Sequence, residues 1–249
     1  ELKMSEWQSL KNYAKKLKII FFFSIFDEKN LNLNKKLKLR LVKIPSGEIN
    51  NIKLLKEINK SKANVIASTG MSSLKEIKNA VRILKNCKIS LLHCLSEYPA
   101  KIENLNLNFI NVLKKVSRVS KVGFSDHSDS IILPSTAVSM GARIIEKHFT
   151  HNRRLRLGDH KISLDYKNFK KMCENIRITS LALGQEKKIT TKSEKKLSLL
   201  ARKGLYSIKD LKKGSRIKTS DIAYLRPTNT FKAIKNEKKV LGKITKKNI

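Results

Sequence analysis

The sequence contains few cysteines, and those it has form no recognisable framework. Only three occur in 249 residues, at Cys87, Cys94 and Cys173. Their odd number and wide separation exclude a disulfide-stapled secreted fold and the paired spacing of a zinc knuckle. This usage of cysteine is typical of a reducing compartment, and we expect a cytoplasmic protein.

Long hydrophobic runs are missing as well. A helix that spans a bilayer needs about 20 consecutive apolar residues, whereas the longest candidate here, "IIFFFSIF" from Ile19, has only the length of a strand. The sequence shows neither a signal peptide nor a membrane anchor, so no membrane partner is expected. Glycine-rich phosphate loops of the GxG type are also absent, which leaves nucleotide binding with little support.

Acidic residues are scarce, because 20 Asp and Glu stand against 55 Lys and Arg, giving a formal net charge of +35. Such an excess of cations raises the hypothesis of a polyanion-binding protein, whose affinity would fall steeply with salt. The lysines are nevertheless spread along the whole chain in pairs, and aromatic residues make up only 6% of it, so platforms for stacking bases are not evident. We interpret the charge as a compositional drift on solvated faces and expect no specific nucleic-acid partner.

Six short apolar runs are present, and each is followed by a stretch of helical periodicity. Their starts recur about every 25 residues, the spacing of βα units in a parallel sheet, and such uniformly apolar strands are buried on both faces. The pattern predicts an α/β fold of the (β/α)8 TIM-barrel type, with about six of the eight βα units present. The runs are KIIFFFSIF, LRLVKIPSG, ANVIASTGM, KISLLHCLS, SKVGFSDHS and ARIIEKHFT.

The composition divides the chain into three parts. Residues 1–183 are predicted to form the partial TIM barrel, and residues 184–198, "GQEKKITTKSEKKLS", are polar and charged and indicate a linker. Residues 199–249 contain short β-rich runs between turns and indicate a small β-rich domain. Because the chain opens on Glu1 inside a helical pattern and lacks two barrel strands on that side, we expect it to be N-terminally truncated.

Polar residues that can perform chemistry follow the apolar runs, and parallel barrels place their active sites at that end of the strands. His127 and His148 would lie on adjacent strand tips, where two imidazoles could share a divalent metal. A lysine and several hydroxyls could form a cradle for a phosphate or a carboxylate. Structural alternatives remain open, since either histidine could be a turn residue and the lysine could cap its strand. The cradle residues are Lys43, Ser46, Ser68 and Ser125.

The motifs at the carboxyl ends of the predicted strands resemble those of a known family. The motifs KIPSGEINN, STGMSSLKEI, LLHCLSEYPA, GFSDHS, IEKHFT and GDHKISL, in that order, closely resemble the sialic acid synthases, which make N-acetylneuraminate or legionaminate. The tail "ARKGLYSIKDLKKGSRIKTSDIAYLRP" looks like that family's C-terminal antifreeze-like (SAF) domain. The resemblance implies a TIM-barrel transferase that condenses phosphoenolpyruvate with N-acetylmannosamine or a related N-acetylated hexose and releases phosphate.

The resemblance also implies roles for particular residues. His127 and His148 match the metal ligands, for Mn²⁺ or Mg²⁺. The positions that match phosphoenolpyruvate contacts are Lys43, Ser46, Ser68, Ser96 and Ser125. Those that match contacts to the sugar are Glu48, Tyr98, Asp159 and Arg202, the last reaching the partner's site in a domain-swapped homodimer.

Two motifs of the family are missing from this sequence, and alternatives to an active N-acetylneuraminate synthase stay open. The family's first two strands carry motifs resembling AEIGxNHxG and KFQ, with a proposed general base and a lysine, and neither motif occurs here. A catalytically inactive fragment that acts as an interaction module is therefore one alternative, and a legionaminate-type synthase is another. Gly47 in SGEINN favours these sugars over pseudaminate, for which a bulkier residue is expected.

Overall fold

The chain folds into two compact units, Glu1–Gly184 and Gln185–Ile249. The computed structural model describes residues 2–155, 158–226 and 236–249. In the first unit, strands and helices alternate after two N-terminal helices, as the periodicity predicts. The elements are α1 (Met4–Lys16), α2 (Glu28–Lys36), β1 (Leu41–Ile44), α3 (Ile52–Lys60), β2 (Asn64–Ser68), α4 (Leu74–Ile83), β3 (Lys88–Cys94), α5 (Phe109–Leu113), β4 (Val119–Asp126), α6 (Leu133–Ser139), β5 (Ile144–Lys147) and α7 (Tyr166–Leu183).

The five strands form one parallel sheet in the order β1-β2-β3-β4-β5, which curls as half of a barrel. Each connection between neighbouring strands contains a helix, and parallel neighbours require such crossovers. The α/β class and the parallel sheet are therefore confirmed. The closed eight-stranded barrel stays a prediction, because the described residues supply five of its strands.

The first apolar run requires a correction. A strand was predicted over KIIFFFSIF, but only Ser24 pairs with the sheet, through a single parallel bridge to Lys43. The aromatic side chains of this run contact helix α1, where the ring of Trp7 lies 6.3 Å from that of Phe21 and 5.2 Å from that of Phe23. The run therefore packs against α1. In place of the sixth predicted strand, it contributes one bridge to β1.

Helices α3 and α4 show how the sequence sets the helical layer. On α3, Leu54, Leu55 and Ile58 are buried at a spacing that places them on one face. Burial of each such side chain contributes about 1.5–3 kcal/mol. The start of α4 is fixed by a capping box, in which Ser73 accepts from the Glu76 backbone N–H and Glu76 accepts in return. Local signals and the apolar face thus specify the same helices.

The two faces of the sheet have different neighbours. On the face towards the helices, the ring of Phe124 (β4) stacks on His93 (β3), and His93 contacts Phe109 of α5. Successive strand residues point to opposite faces, so Cys94 and Ser125, the next residues along each strand, point to the concave face. Both are buried. The concave face at the carboxyl ends of the strands is where the predicted site should lie.

The second unit contains α8 (Lys192–Ala201), β6 (Gly204–Ser207) and β7 (Ile222–Leu225). Strands β6 and β7 pair antiparallel, and Arg216 makes a further antiparallel bridge to Ile244. The predicted linker 184–198 overlaps α8, whose capping box at Thr191 and Glu194 starts a helix inside that polar segment. The second part of the predicted linker is thus helical, and its role as a linker stays a prediction. The antifreeze-like identity of 199–249 stays a prediction.

None of the helices in the described ranges is both long enough and apolar enough to cross a membrane. This agrees with the absence of long hydrophobic runs.

Candidate active site

The carboxyl ends of the five strands bring most of the predicted residues to one edge of the sheet. Strand β1 supplies Lys43, β2 supplies Ser68 and β4 supplies Ser125. His127 and His148 directly follow β4 and β5. The sequence separates these residues by up to about a hundred positions, and the parallel sheet places them side by side.

Lys43 lies on β1, the first strand of the sheet, and is 5% exposed. Its Nζ donates to Ser68 Oγ at 2.8 Å and to the Ile44 carbonyl at 3.2 Å. The Glu146 carboxylate lies 3.5 Å from the same nitrogen. Burial lowers the pKa of Lys43, and the negative charge of Glu146 opposes that shift. The bond to the Ile44 carbonyl, at the end of β1, is what a strand-capping lysine would make, whereas the bond to Ser68 is the contact expected of a cradle residue.

Glu146 is a site residue to which the sequence analysis assigned no role. Ser125 Oγ donates to Glu146 Oε1 at 2.7 Å, while Oε2 faces Lys43. The two side chains meet because Ser125 and Glu146 are register partners on β4 and β5. Strand alternation offered a signal, since Glu146 precedes His148 by two residues and therefore shares its face.

Ser46 and Ser96 meet around Gly70. The Gly70 backbone N–H donates to Ser46 Oγ at 3.1 Å. A Cβ atom on Gly70 would lie 2.2 Å from Ser96 Oγ and 2.9 Å from Ser46 Oγ, so only glycine permits this approach. Among the residues described, Ser96 Oγ is a buried atom without a hydrogen-bond partner. Buried hydroxyls usually have one, so this oxygen suits a ligand atom.

The two histidines face each other with ring centroids 5.4 Å apart. His127 Nδ1 lies 2.7 Å from the Leu95 carbonyl, which can only accept, so Nδ1 donates and the neutral ring keeps its lone pair on Nε2. His148 Nδ1 lies 3.5 Å from Asp159 Oδ2. Carbonyl and carboxylate partners of this kind orient imidazoles that ligate metals.

The pKa values of the two histidines shift in opposite directions. Burial lowers the pKa of His127, but the neighbouring Cys94 and the Leu95 carbonyl outweigh burial and raise it overall. Burial and the charge of His127 lower the pKa of His148. Cys94 is buried, with its Sγ 3.9 Å from His127 Nδ1.

The two facing imidazoles are donors of a type that divalent metals accept, and the metal site itself stays a prediction. Within the described residues no group of three or more His, Cys, Asp or Glu side chains is arranged to hold a metal. The protein would therefore supply two imidazoles, His127 and His148, and leave the other positions to water or to substrate oxygens. A metal ion that is held by imidazoles and keeps vacant coordination positions can act as a Lewis acid that polarises a carbonyl.

Two of the four residues predicted to contact the sugar, Tyr98 and Asp159, lie beside the histidines. The Tyr98 ring stacks on His127 at 4.1 Å and meets the edge of His148 at 6.1 Å. Asp159 lies beside His148. Glu48 follows β1 and accepts from Asn51 Nδ2 at 2.8 Å. Arg202 ends α8 in the second unit and is exposed, and its role in a partner's site stays a prediction.

The chain resembles proteins of one family along most of its length. Residues 1–188 match the NeuB family. The N,N'-diacetyllegionaminic acid synthase of Campylobacter jejuni is 40% identical over 253 aligned residues, which cover 100% of this chain and 75% of that protein. The pseudaminic acid synthase of Helicobacter pylori is 37% identical over 227 residues, which cover 89% of this chain and 66% of that protein.

A solved structure supports the same relationship. The N-acetylneuraminic acid (sialic acid) synthetase from Leptospira borgpetersenii, in complex with citrate, superposes with a TM-score of 0.75 at 38% identity. The match covers 79% of this chain and 70% of that one. These relatives are named as synthases of legionaminic, pseudaminic and sialic acids, which are nonulosonic acids. The chain therefore belongs to the NeuB family.

Proposed function

We propose that the protein condenses phosphoenolpyruvate with an N-acetylated hexose to give a nonulosonic acid and phosphate, with N-acetylmannosamine and N-acetylneuraminate as the leading pair. One observation carries the proposal, namely that a buried lysine–hydroxyl cluster and two facing imidazoles share one edge of the sheet. Phosphoenolpyruvate is a small anion that the cluster can bind, and an aldehyde oxygen is a group that a metal between the imidazoles can polarise. Membership of the NeuB family supports the same reaction.

The anion cluster would hold phosphoenolpyruvate. Lys43 supplies the positive charge, Ser68 and Ser125 supply hydroxyls beside it, and Ser96 offers a hydroxyl whose oxygen lacks a partner among the described residues. Charge-assisted hydrogen bonds in a buried pocket are roughly twice as strong as neutral ones. Glu146 holds both Lys43 and Ser125, so it would keep the cluster in place until the substrate arrives.

The sugar would lie on the histidine side. A bound Mn²⁺ or Mg²⁺ would supply Lewis-acid polarisation of the open-chain aldehyde. Carbon C3 of phosphoenolpyruvate then attacks the aldehyde carbon, water adds at C2, and phosphate leaves with cleavage of the C–O bond. Tyr98, Glu48 and Asp159 would contact the sugar hydroxyls and the acetamido group.

The antifreeze-like identity of residues 199–249 and the homodimer belong to the same proposal. In that arrangement Arg202 of one protomer would reach the sugar in the site of its partner. The alignment with the C. jejuni relative covers 100% of this chain, so residues 199–249 have a counterpart in that synthase, which supports the assignment of the domain. The second candidate for the sugar is a di-N-acetylated hexose, because the C. jejuni relative is an N,N'-diacetyllegionaminic acid synthase.

The test is release of inorganic phosphate from phosphoenolpyruvate in the presence of Mn²⁺ and either a mono- or a di-N-acetylated hexosamine. We expect release that requires the sugar, the metal and both histidines, so that His127→Ala and His148→Ala each abolish it in a chain that stays folded. Lys53→Met is the control, because Lys53 is an exposed lysine paired with Glu28 and should leave turnover unchanged.

Two results would redirect the proposal. Binding of phosphoenolpyruvate without turnover on any N-acetylated hexose would favour the inactive interaction module. Absence of phosphoenolpyruvate binding altogether would contradict the synthase.

A further inference from the structure

A second polar pair joins β4 to β5 immediately beside the histidines. Lys147 Nζ lies 2.7 Å from Asp126 Oδ2, and the two side chains are 1% and 0% exposed. Asp126 and Lys147 are register partners and are the last residues of their strands. We name this pair the Asp126–Lys147 clasp. The buried ion pair of Asp126 is a contact that only the tertiary structure shows.

The clasp lies on the face of the sheet opposite to the substrate site. Ser125 and Glu146 point to the concave face, where they reach Lys43. Successive side chains of a strand alternate, so Asp126 and Lys147 point to the face that carries the helices. The clasp is therefore unable to touch a substrate in the cluster, and any effect it has must pass through the backbone.

The clasp binds the backbone of Ser128, the residue that follows His127. Asp126 Oδ1 accepts from the Ser128 backbone N–H at 2.9 Å, and Lys147 Nζ donates to the Ser128 carbonyl. Both backbone groups of residue 128 are thus bound by the pair, and His127 is fixed from both neighbours. His148 directly follows Lys147, and its carbonyl accepts from the Leu164 N–H at 2.9 Å.

Stability alone is a poor explanation for such a pair. Desolvation of two charges offsets most of their attraction, and a well-packed apolar pair at the same place is often as stable or more so. An apolar pair, however, could not bind both the N–H and the carbonyl of Ser128. The feature specific to the ion pair is therefore the fixed path of the chain around the two imidazoles.

We propose that the Asp126–Lys147 clasp is a positioning device that sets the separation and orientation of His127 and His148 for metal binding. The inference rests on the metal site of the proposed function. Partners that orient metal-ligating side chains usually contribute about 10- to 100-fold to metal affinity. Removal of the clasp should thus weaken metal binding by that factor without removing any ligand.

The test measures metal binding directly, without turnover. The full chain and its Lys147→Met and Asp126→Asn variants are titrated with Mn²⁺ by electron paramagnetic resonance and with Co²⁺ by visible absorption. We expect about 10- to 100-fold weaker Mn²⁺ binding in both variants. We also expect a shifted Co²⁺ spectrum, because the d–d bands report ligand geometry. A His127→Ala/His148→Ala double variant identifies the part of the signal that belongs to this site.

Two controls separate positioning from general destabilisation. Leu84→Ala removes a core side chain that is 1% exposed at the end of α4, and Ser120→Ala removes a hydrogen bond to the Ile89 carbonyl at the other end of β4. Both should bind Mn²⁺ as the unaltered chain does. If a single clasp variant fails to fold, the Asp126→Asn/Lys147→Met double variant leaves no unpaired buried charge and takes its place.

The outcomes are distinct. Folded clasp variants with the original Mn²⁺ affinity and Co²⁺ spectrum would overturn the positioning role while leaving the metal site intact. An unaltered chain that binds neither ion at millimolar concentration would overturn the metal site of the proposed function, and the clasp's role with it.

Discussion

The replacement Lys43→Met should weaken the binding of phosphoenolpyruvate without lowering the stability of the fold. Methionine keeps most of the aliphatic stem but removes a charge that is 5% exposed and bonded to Ser68 at 2.8 Å. A hydrogen bond to a charged group contributes about 1.5–3 kcal/mol. Since 1.4 kcal/mol corresponds to a factor of ten, we expect about 10- to 150-fold weaker binding of phosphoenolpyruvate.

The same replacement should not destabilise the fold. Burial already disfavours the charged form of Lys43 and lowers its pKa, so folding desolvates a cation at a cost that methionine does not have. Glu146 loses its cation, but its side chain is 38% exposed and keeps the hydrogen bond from Ser125. The free energy of unfolding should therefore stay within about 1 kcal/mol of the original value or increase, as is common when binding groups are removed.

Isothermal titration calorimetry with phosphoenolpyruvate and urea unfolding measure the two quantities. Lys53→Met is the matched control, since its side chain is 82% exposed and its loss removes one charge from the same net excess. Titration at about 0.15 M salt screens exposed charges beyond roughly 8 Å. Unchanged phosphoenolpyruvate affinity in Lys43→Met, or an equal loss in Lys53→Met, would refute a specific anion site at this lysine.

Three further predictions concern pH, the sugar and the backbone. Burial lowers the pKa of His93, so the unfolded chain binds more protons; the free energy of unfolding should fall by at most about 1.4 kcal/mol per pH unit below about pH 6.5, and His93→Gln should flatten this slope in urea titrations. Because a Cβ on Gly47 would meet no atom within 4 Å, Gly47→Leu should fold normally yet raise KM for the sugar more than for phosphoenolpyruvate in the phosphate-release assay. Lys38 follows α2 with φ 52°, so Lys38→Gly should stabilise the chain by about 0.5–1 kcal/mol in urea unfolding, the left-handed strain relieved less the entropy cost of glycine, whereas Lys36→Gly, at the last residue of α2, should destabilise it.

The periodicity of the apolar runs was sufficient for the class of fold and the order of most elements. Strands β1 to β5 and helices α3 and α4 occur where alternating strand and helix signals predict them. The prediction failed where local composition and tertiary partners disagree. KIIFFFSIF has strand composition, but its aromatic side chains pack against Trp7 of α1.

The site residues also divide into those that the local sequence predicts and those that depend on tertiary contacts. Lys43, Ser68, Ser125, His127 and His148 were predicted because each follows an apolar run, and parallel strands bring such positions to one edge. Glu146, the clasp and the contact between Cys94 and His127 were not assigned. The first two depend on which β4 residue stands opposite which β5 residue, and the third depends on how β3 is aligned with β4. The sequence does not encode either register locally.

By itself, the sequence determined the parallel α/β architecture, the residues at the strand ends and the likeness to nonulosonic acid synthases, because periodicity, capping and motifs are properties of short segments. Only the tertiary structure decided that Ser96 Oγ lies buried beside Gly70 and that Asp126 and Lys147 bind both backbone groups of Ser128. The physical reason is that hydrogen bonds and ion pairs between strands depend on distances of a few ångströms, which the register and curl of the whole sheet set.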